Sequence, residues 1–188
     1  KNVALKTLVA ACLTDEEVII ENIPLISDFM VMVNIIRDLG GTVKIKDHKA
    51  YIQVKSLKLK KISLEEAAKI RTSSMLMAPL LVRLHRAIIP NPGGCRIGAR
   101  PIDRTIDGLN VMGAETAYNS DDGYFYIKAN NKTITKNGTI TYKFEKSTHT
   151  GTETLIMASV LSRRKTVLEN AAEEPEIDEL IALLNKMG

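Results

Sequence analysis

A glycine-rich turn around Cys95 carries the residues of this chain that are best suited to chemistry. Pro92, Gly93 and Gly94 interrupt regular structure and let backbone amides approach a ligand closely. Pro101 fits the first position of a helix, where its missing N–H costs no hydrogen bond. The spacing therefore predicts that Cys95 lies beside the N-terminus of a helix that begins at Pro101.

The predicted surroundings of Cys95 are electropositive. A helix N-terminus presents free N–H groups and the positive end of the helix dipole, and Arg96 and Arg100 add full charges. Such a site suits a phosphate or a carboxylate, and it favours the reactive thiolate of Cys95. The competing interpretation is a tight turn around a small buried cysteine. The other cysteine, Cys12, lies in an apolar helical run and is predicted to be inert packing.

Composition narrows the class of protein. The chain has 188 residues, of which 45% are hydrophobic, so it can bury one sizeable core or two small ones. It contains no apolar run long enough to span a membrane, and its first residues do not resemble a cleavable signal. Two cysteines are too few for a disulfide scaffold. These features predict a globular, cytoplasmic protein.

Basic residues slightly outnumber acidic ones, and the net charge of +4 is compatible with anionic ligands. Lysines are concentrated between Lys44 and Lys61, around one predicted hairpin, and we interpret them as a solvated face. Nucleic-acid binding is not expected, because Trp is absent and few aromatic side chains accompany the basic residues.

The elements that position the turn form a repeat, and its first unit ends with a hairpin. An apolar helix is followed by a short strand, and a second helix has Ser27 as its predicted N-cap and stops at Gly40-Gly41. Phe29, Met32, Val33 and Ile36 share one face of that helix. The predicted bounds are 2–13 for the first helix, 18–22 for the strand, and 42–45 with 51–54 for the hairpin.

A second unit follows the same order. Ser63 and Glu66 form a predicted capping box, and a helix over about 72–84 is predicted to kink at Pro79. The remaining elements are a strand over 87–91, a helix from Pro101 to Gly113 with Ile102, Ile106 and Leu109 on one face, and strands near 115–118 and 124–128.

A third unit begins near residue 150 and lacks a hairpin. Thr150 and Glu153 form another predicted capping box, at the start of a helix that runs to about Leu161. Pro175 opens the last helix, whose apolar face is formed by Ile177, Leu180, Ile181 and Leu184. Because the third unit is incomplete, we expect the chain to be part of a longer protein.

Three similar segments mark the same point of the three units, which are spaced about 70 to 80 residues apart. They are Ile19-Ile20-Glu21-Asn22, Ile88-Ile89-Pro90-Asn91 and Val167-Leu168-Glu169-Asn170. Each unit combines two helices with short strands, so the helices are predicted to pack together inside and the sheets to lie outside.

The Cys95 turn resembles that of the UDP-N-acetylglucosamine 1-carboxyvinyltransferases, a family of enolpyruvyl transferases. The shared pattern is Gly93-Gly94-Cys95-x-Ile97-Gly98-x-Arg100-Pro101-x-Asp103. The resemblance covers the whole chain and roughly half of the family length. It implies an α/β fold of the inside-out α/β barrel kind, with three βαβαββ-type repeats over about 1–62, 63–146 and 147–188. It also implies that a second domain, outside this chain, completes the active-site cleft.

The resemblance assigns roles to individual residues. Lys1 and Asn2 match the pair that contacts phosphoenolpyruvate, and Cys95 matches the proton donor that fosfomycin alkylates. Arg100 is implied in binding both substrates. The implied UDP-N-acetylglucosamine site consists of Arg71, Arg100, Pro101, Ile102, Asp103, Arg104, Thr148, His149, Thr150 and Gly151. The implied reaction needs no metal and no redox cofactor.

Two single positions and one segment depart from the family pattern. Arg104 stands where the family usually has Leu, and Glu173 replaces a common Arg. Thr148-His149-Thr150-Gly151 stands where Ser-Val-Gly is common, so His149 has a competing interpretation as an exposed loop histidine.

The implied reaction is an addition–elimination that opens peptidoglycan synthesis. The 3-hydroxyl of UDP-N-acetylglucosamine adds to phosphoenolpyruvate, and phosphate is then released. One alternative is a 5-enolpyruvylshikimate-3-phosphate synthase-like transferase, which shares the fold but lacks the Gly-Gly-Cys turn. Another is a non-catalytic half-enzyme that binds a nucleotide sugar. The chain alone is expected to be inactive, because the family's general base belongs to the second domain.

Overall fold

The computed structural model describes residues 2–91, 102–129 and 138–188, which form a mixed α/β chain. Its helices are α1 (Asn2–Ala10), α2 (Ser27–Asp38), α3 (Leu64–Lys69), α4 (Met77–Leu84), α5 (Asp103–Val111), α6 (His149–Ser159) and α7 (Pro175–Met187). Short 3-10 helices cover Ala11–Leu13 and Arg71–Leu76. The strands are β1 (Val18–Ile20), β2 (Thr42–Lys46), β3 (Lys49–Gln53), β4 (Arg86–Pro90), β5 (Ala114–Asn119), β6 (Tyr124–Ala129), β7 (Thr139–Lys143) and β8 (Lys165–Glu169).

Two three-stranded sheets have the same topology, which supports the predicted repeat. Their strand orders are β1-β3-β2 and β4-β6-β5, and every pairing in them is antiparallel. In each sheet the last strand of the hairpin lies in the centre, between its hairpin partner and the strand that precedes the second helix. The two sheets are therefore built by equivalent segments of two successive units.

A third sheet consists of β7 and β8, which run parallel. The sequence analysis did not predict β7. Its alternation is nevertheless visible, since Ile140 is buried and the threonines on either side of it are exposed. The partner β8 follows α6, so β7, α6 and β8 form a strand–helix–strand crossover of the kind that parallel pairing requires.

The helices α1, α4 and α6 form the centre of the molecule. Leu8, Val9 and Ala10 of α1 and Leu80 of α4 are fully buried, as is Leu155 of α6. The strands, in contrast, alternate between buried and exposed residues, so each sheet turns one face to the core and the other to solvent. The prediction that helices pack inside and sheets lie outside agrees with this distribution.

Helix α2 confirms the predicted apolar face and corrects the predicted cap. Phe29, Met32, Val33 and Ile36 are all buried. Ser27, however, is already helical, and the preceding Ile26 occupies the cap position with an extended backbone and no side-chain hydrogen bond. The Ser27 hydroxyl donates to Asp28 instead, 3.4 Å away.

Glycines end three helices in the same conformation. Gly40, Gly113 and Gly188 have φ angles of 96°, 103° and 97°, in the left-handed region that glycine adopts without strain. This confirms that they occupy equivalent positions after α2, α5 and α7. A side chain at Gly40 would also place its Cβ 2.6 Å from the carbonyl oxygen of Ser56.

The first hairpin closes with a two-residue turn. Asp47 and His48 both have positive φ angles, 48° and 57°, as a tight turn that matches the strand twist requires. The strands are consequently Thr42–Lys46 and Lys49–Gln53, a shift of one or two residues from the predicted bounds. The Asn residues after β1 and β8, Asn22 and Asn170, also have positive φ angles.

The segment before α4 differs from the prediction. Ser63 caps α3 as expected, since its hydroxyl accepts from the Glu66 N–H at 3.5 Å. The predicted long helix is divided into a 3-10 helix and α4, which begins at Met77. The predicted kink at Pro79 is wrong, because Pro79 lies in the first turn of α4, where its missing N–H interrupts no hydrogen bond.

Helix α5 begins later than predicted. Asp103 is its first residue and Ile102 occupies the cap position, so the helix does not start at Pro101. Ile102, Ile106 and Leu109 are buried, as their common face predicted.

The predictions for the last two helices are confirmed only in part. Helix α6 ends at Ser159 and not at Leu161, while Pro175 is the first residue of α7 as predicted. Ile177 and Leu180 are buried, but Ile181 is 39% exposed because it lies on the margin of the face that α7 turns to the core.

No helix in the described ranges is long and apolar enough to cross a membrane.

Candidate functional site

The predicted site residues divide into two groups. Lys1, Cys95, Arg100 and Pro101, together with Arg96 and the turn 92–94, lie outside the described residues. The described members stand at or near the starts of four helical segments. They are Asn2, Arg71, Ile102, Asp103, Arg104, Thr148, His149, Thr150 and Gly151.

The start of α6 is capped by Thr148. Its backbone is extended (φ −141°, ψ 120°) and its hydroxyl accepts from the Gly151 N–H at 3.4 Å. The predicted capping box of Thr150 and Glu153 is therefore wrong. Thr150 is the second residue of the helix, and its carbonyl accepts from the Thr154 hydroxyl at 2.7 Å. The cap lies two residues earlier because Thr148 is the last extended residue before the helical conformation.

Gly151 allows α5 and α6 to approach each other closely. A Cβ at this position would lie 2.4 Å from Thr148 Cγ2 and 3.2 Å from Thr105 Oγ1. Any side chain would therefore disturb both the cap and the contact with α5. The segment 148–151 and the start of α5, which the resemblance assigns to one ligand, are neighbours.

A buried cluster of charged and polar side chains joins α1 to α6. Lys6 Nζ lies 2.5 Å from Glu153 Oε1 and 2.9 Å from His149 Nε2. The side chains of Glu153, Lys6 and His149 are 0%, 9% and 29% exposed. His149 is the first residue of a helix and is hydrogen-bonded, so it is not the exposed loop histidine of the competing interpretation.

Lys6 and Glu153 were not singled out as functional from the sequence. The signal for Lys6 was present, since it is the only charged residue in the mostly apolar helix α1. Burial raises the pKa of Glu153 above its ordinary value, because desolvation of the carboxylate outweighs the hydrogen bond and charge that Lys6 provides.

Asn2 begins α1 and reaches toward α7. Its side-chain amide donates to Glu176 Oε1 at 3.4 Å. The pKa of Glu176 is lowered by a hydrogen bond from its own backbone N–H and then by Asn2, as is usual for a carboxylate in the first turn of a helix. Glu174 is the cap residue of α7, and its Oε1 atom lies 3.9 Å from His149 Nδ1. The starts of α1, α6 and α7 therefore adjoin.

Arg71 opens the 3-10 helix that precedes α4. This segment packs against both α1 and α6, which brings the backbone of Arg71 toward the same region. The Ser73 and Ser74 hydroxyls donate back to the carbonyls of Ile70 and Arg71 at 2.7 and 3.0 Å, which satisfies them internally. We infer that these serines support the segment.

The start of α5 supplies Asp103 and Arg104. Asp103 is exposed in the first turn, where a carboxylate is favoured by the helix dipole. The Arg104 carbonyl accepts from the Tyr142 hydroxyl at 2.9 Å, which connects α5 to β7. Helix starts that face one region favour anions, because each contributes free N–H groups and partial positive charge.

Cys12 has the inert character that was predicted. It is fully buried, and its thiol donates to the Leu8 carbonyl at 3.4 Å. Burial raises the pKa of Cys12 to about 12, although the nearby Arg83 guanidinium acts in the opposite direction. In the part of the chain that the structure describes, no cluster of three or more His, Cys, Asp or Glu side chains could hold a metal ion.

Two cavities lie away from the predicted residues. One, of about 490 Å³, opens beside β8 and α7, with Ile156, Leu168 and Ile177 in its wall. Another, of about 360 Å³, lies between the end of α7 and Arg83. Neither brings the described site residues together.

A sequence model described as EPSP synthase (3-phosphoshikimate 1-carboxyvinyltransferase) matches residues 1–188. The chain is 42% identical over 189 residues to a protein of Prochlorococcus marinus subsp. pastoris named UDP-N-acetylglucosamine 1-carboxyvinyltransferase. It is 41% identical over 192 residues to a protein of the same name from Koribacter versatilis. These alignments cover 100% of this chain but only 40% and 43% of the relatives, so the chain spans about two fifths of their length.

Solved structures show the same fold at low identity. The enolpyruvyl transferase NikO from Streptomyces tendae aligns with a TM-score of 0.81 at 19% identity, over 99% of this chain and 42% of that one. EPSP synthase from Acinetobacter baumannii aligns with a TM-score of 0.67 at 15% identity, over 95% of this chain and 40% of that one. The predicted α/β fold of the enolpyruvyl transferase type is confirmed.

Proposed function

Because the chain belongs to the EPSP synthase (3-phosphoshikimate 1-carboxyvinyltransferase) family, we propose that the protein that carries it transfers the enolpyruvyl group of phosphoenolpyruvate. We assign the 3-hydroxyl of UDP-N-acetylglucosamine as the acceptor. The observation that carries this choice is identity of 42% across the whole chain to a relative named for that substrate. The Gly93-Gly94-Cys95 turn, which the shikimate enzymes lack, supports the same acceptor.

The proposed reaction has two stages. The 3-hydroxyl oxygen adds to C2 of phosphoenolpyruvate and gives its proton to the general base, which the resemblance assigns to the remaining part of the enzyme, while C3 gains a proton that Cys95 supplies. The intermediate then loses a proton from C3 and expels phosphate, so that the double bond is restored. Lys1, Asn2 and Arg100 bind phosphoenolpyruvate, and the two cations oppose the negative charge of phosphate and carboxylate.

We propose that the sugar nucleotide binds at the starts of α5, of α6 and of the 3-10 helix that begins at Arg71. Its proposed ligands are Arg71, Arg100, Pro101, Ile102, Asp103, Arg104, Thr148, His149, Thr150 and Gly151. Support for this assignment comes from the contact between Gly151 and Thr105, which brings two of the assigned segments together. A diphosphate carries two or more negative charges, so several N–H groups and arginines from separate segments suit it.

We further propose that residues 1–188 form one domain of a two-domain enzyme of the inside-out α/β barrel kind, with repeat units near 1–62, 63–146 and 147–188. The identical strand orders of two sheets support the repeat. The partner of this domain is the remaining part of the same enzyme. The protein would act in the cytoplasm at the first committed step of peptidoglycan synthesis, with consequences for cell wall biogenesis, cell shape and cell division.

The test uses the full natural chain that contains these residues. Phosphate release is measured with phosphoenolpyruvate and either UDP-N-acetylglucosamine or shikimate 3-phosphate. We expect release only with the sugar nucleotide, and we expect fosfomycin to abolish it by alkylating Cys95. Release with shikimate 3-phosphate alone would favour the alternative transferase. Binding of the sugar nucleotide without any turnover would favour the non-catalytic alternative.

A further inference from the structure

The hydrogen-bond roles within the buried cluster of Lys6, His149 and Glu153 follow from the chemistry of Lys6. The Lys6 ammonium has three N–H donors and no acceptor. His149 Nε2 lies 2.9 Å from Nζ, within reach of these donors, and 3.3 Å from Glu153 Oε1, and we infer that it accepts a hydrogen bond from Lys6. In that arrangement the ring proton is on Nδ1, which lies on the side of Glu174.

The burial of its charges means that this cluster is not explained by a contribution to folding stability alone. The Glu153 side chain is fully buried and the Lys6 side chain almost so, and both ions have lost their hydration. Glu153 Oε2 is buried without a hydrogen-bond partner within the described residues. Two apolar side chains of similar size would hold α1 against α6 without these desolvation costs.

The position of the pair suggests what it does. Lys6 follows Asn2 by four residues on α1, and Glu153 follows His149 by four residues on α6. Residues four apart lie on the same face of a helix, one turn above each other. The ion pair therefore lies one turn behind two residues of the proposed substrate sites and joins the two helices that carry them.

We propose that Lys6 and Glu153 are positioning residues that hold Asn2 and His149 at a fixed separation and hold the His149 ring in one orientation. Asn2 belongs to the proposed phosphoenolpyruvate site and His149 to the proposed sugar-nucleotide site, so this inference rests on the proposed function. The ion pair sets the geometry between two substrates that must meet in one reaction. A misplacement of about 1 Å between reacting groups can lower a rate by roughly a hundredfold.

The test compares variants of the full natural chain. The double variant Lys6→Met with Glu153→Leu replaces the pair by apolar side chains, and Glu153→Gln removes one charge with almost no change of shape. We expect the double variant to keep the thermal midpoint of the wild type while its kcat/KM with both substrates falls roughly ten- to hundredfold. Glu65→Gln, which removes an exposed ion pair with Lys69, is the control and should leave kcat/KM unchanged.

A second readout does not depend on turnover. Nitrogen NMR of the His149 ring, assigned by its loss in His149→Gln, should show a bare Nε2 and a protonated Nδ1 in the wild type. The double variant should lose this preference.

The outcomes distinguish a failure of the proposed function from a failure of the positioning role. A wild type without transferase activity defeats the proposed function, and the ring tautomer still tests whether Lys6 orients His149. An active wild type whose folded variants keep full kcat/KM overturns the positioning role, as does a wild-type ring protonated on Nε2. If the double variant does not fold, Glu153→Gln is judged by the same criteria.

Discussion

Two cysteines in this chain illustrate how position decides reactivity. Cys12 is enclosed by the core, where a thiolate would be desolvated. Cys95 follows two glycines and precedes Arg96 in the sequence, and this pattern predicts a turn in an electropositive setting. The same side chain is therefore expected to behave as an apolar group in one place and as a nucleophile in the other.

We expect a small electrophile in limiting amount to modify Cys95 well before Cys12 at neutral pH. The pKa of Cys12 is raised to about 12 by burial, so almost none of it is thiolate. Arg100→Ala should slow the modification of Cys95, because it removes a nearby positive charge. Peptide mapping by mass spectrometry measures both rates. Equal labelling of the two thiols would contradict the expectation.

Glu153 should make the folding stability of the protein decrease as pH rises. Its pKa is raised from 4.5 by burial, so the folded state keeps this proton at a pH where the unfolded chain has released it. The resulting contribution to stability is complete below the ordinary pKa and is lost as pH rises through the raised value. Relative to Glu153→Gln, the wild-type free energy of unfolding should therefore decrease as pH rises above the ordinary pKa of a glutamate side chain.

Glu65 provides a control, because its contribution to stability should change with pH in the opposite direction. Its pKa is lowered by the hydrogen bond from Lys69, so its contribution is present above the ordinary pKa and is lost as pH falls. Relative to Glu65→Gln, the wild type should gain stability slightly as pH rises. Urea denaturation at several pH values measures both differences, and parallel trends for the two variants would show that the assignment for Glu153 is wrong.

Helix packing depends on a few glycines that permit close approach. Gly108 lies in the middle of α5, where glycine lowers helix stability by itself, yet it is buried against α6. A Cβ there would lie 2.3 Å from Leu155 Cδ1, and Leu155 is fully buried. The glycine is therefore explained by the contact between α5 and α6 and not by local conformation.

Gly108→Ala should destabilise the protein by about 1–3 kcal/mol, although alanine is the better helix former. Leu155 is fully buried, so its side chain must repack within the core or the two helices must separate. The matched control is Asp107→Ala, an exposed position on the same helix, which should change stability by about 0.5 kcal/mol or less. Urea midpoints of the two variants give the comparison. A more stable Gly108→Ala variant would show that α5 and α6 are less closely packed than described.

The whole molecule is organised so that the starts of several helices adjoin. Asn2, Arg71 and Thr148–Gly151 begin segments that pack on one another, and α5 approaches through Thr105. This brings together backbone donors from distant parts of the chain and suits an anionic ligand. Of the cavities described above, neither the one beside β8 and α7 nor the one near Arg83 lies around these residues.

Residues 1–188 alone should not release phosphate from phosphoenolpyruvate and UDP-N-acetylglucosamine. The chain spans about two fifths of the length of its relatives, and the resemblance assigns the general base to the remaining part. The full natural chain should be active under the same conditions. A phosphate assay on both proteins decides the question, and turnover by the 188-residue chain would contradict it.

Most of the elements were predictable because they depend on neighbours in sequence. Apolar spacing indicated the helices with the Phe29 and Ile106 faces, and glycines marked the ends of α2 and α5. Apart from the missed strand β7 and the predicted kink at Pro79, the errors fell on boundaries, such as Ser27 and Thr150, where a predicted cap proved to be already helical. Caps depend on the backbone conformation of one residue, which side-chain type alone does not decide.

The sequence by itself determined the repeat, the helix faces and the family resemblance of the Cys95 turn, because these are patterns of residue type and spacing. Only the tertiary structure decided that Lys6 and Glu153 meet, that Gly108 adjoins Leu155, and that β7 pairs with β8. The physical reason is that each of these contacts joins segments far apart in the chain. Their energies depend on burial and on the partner across the interface, and neither is encoded in local spacing.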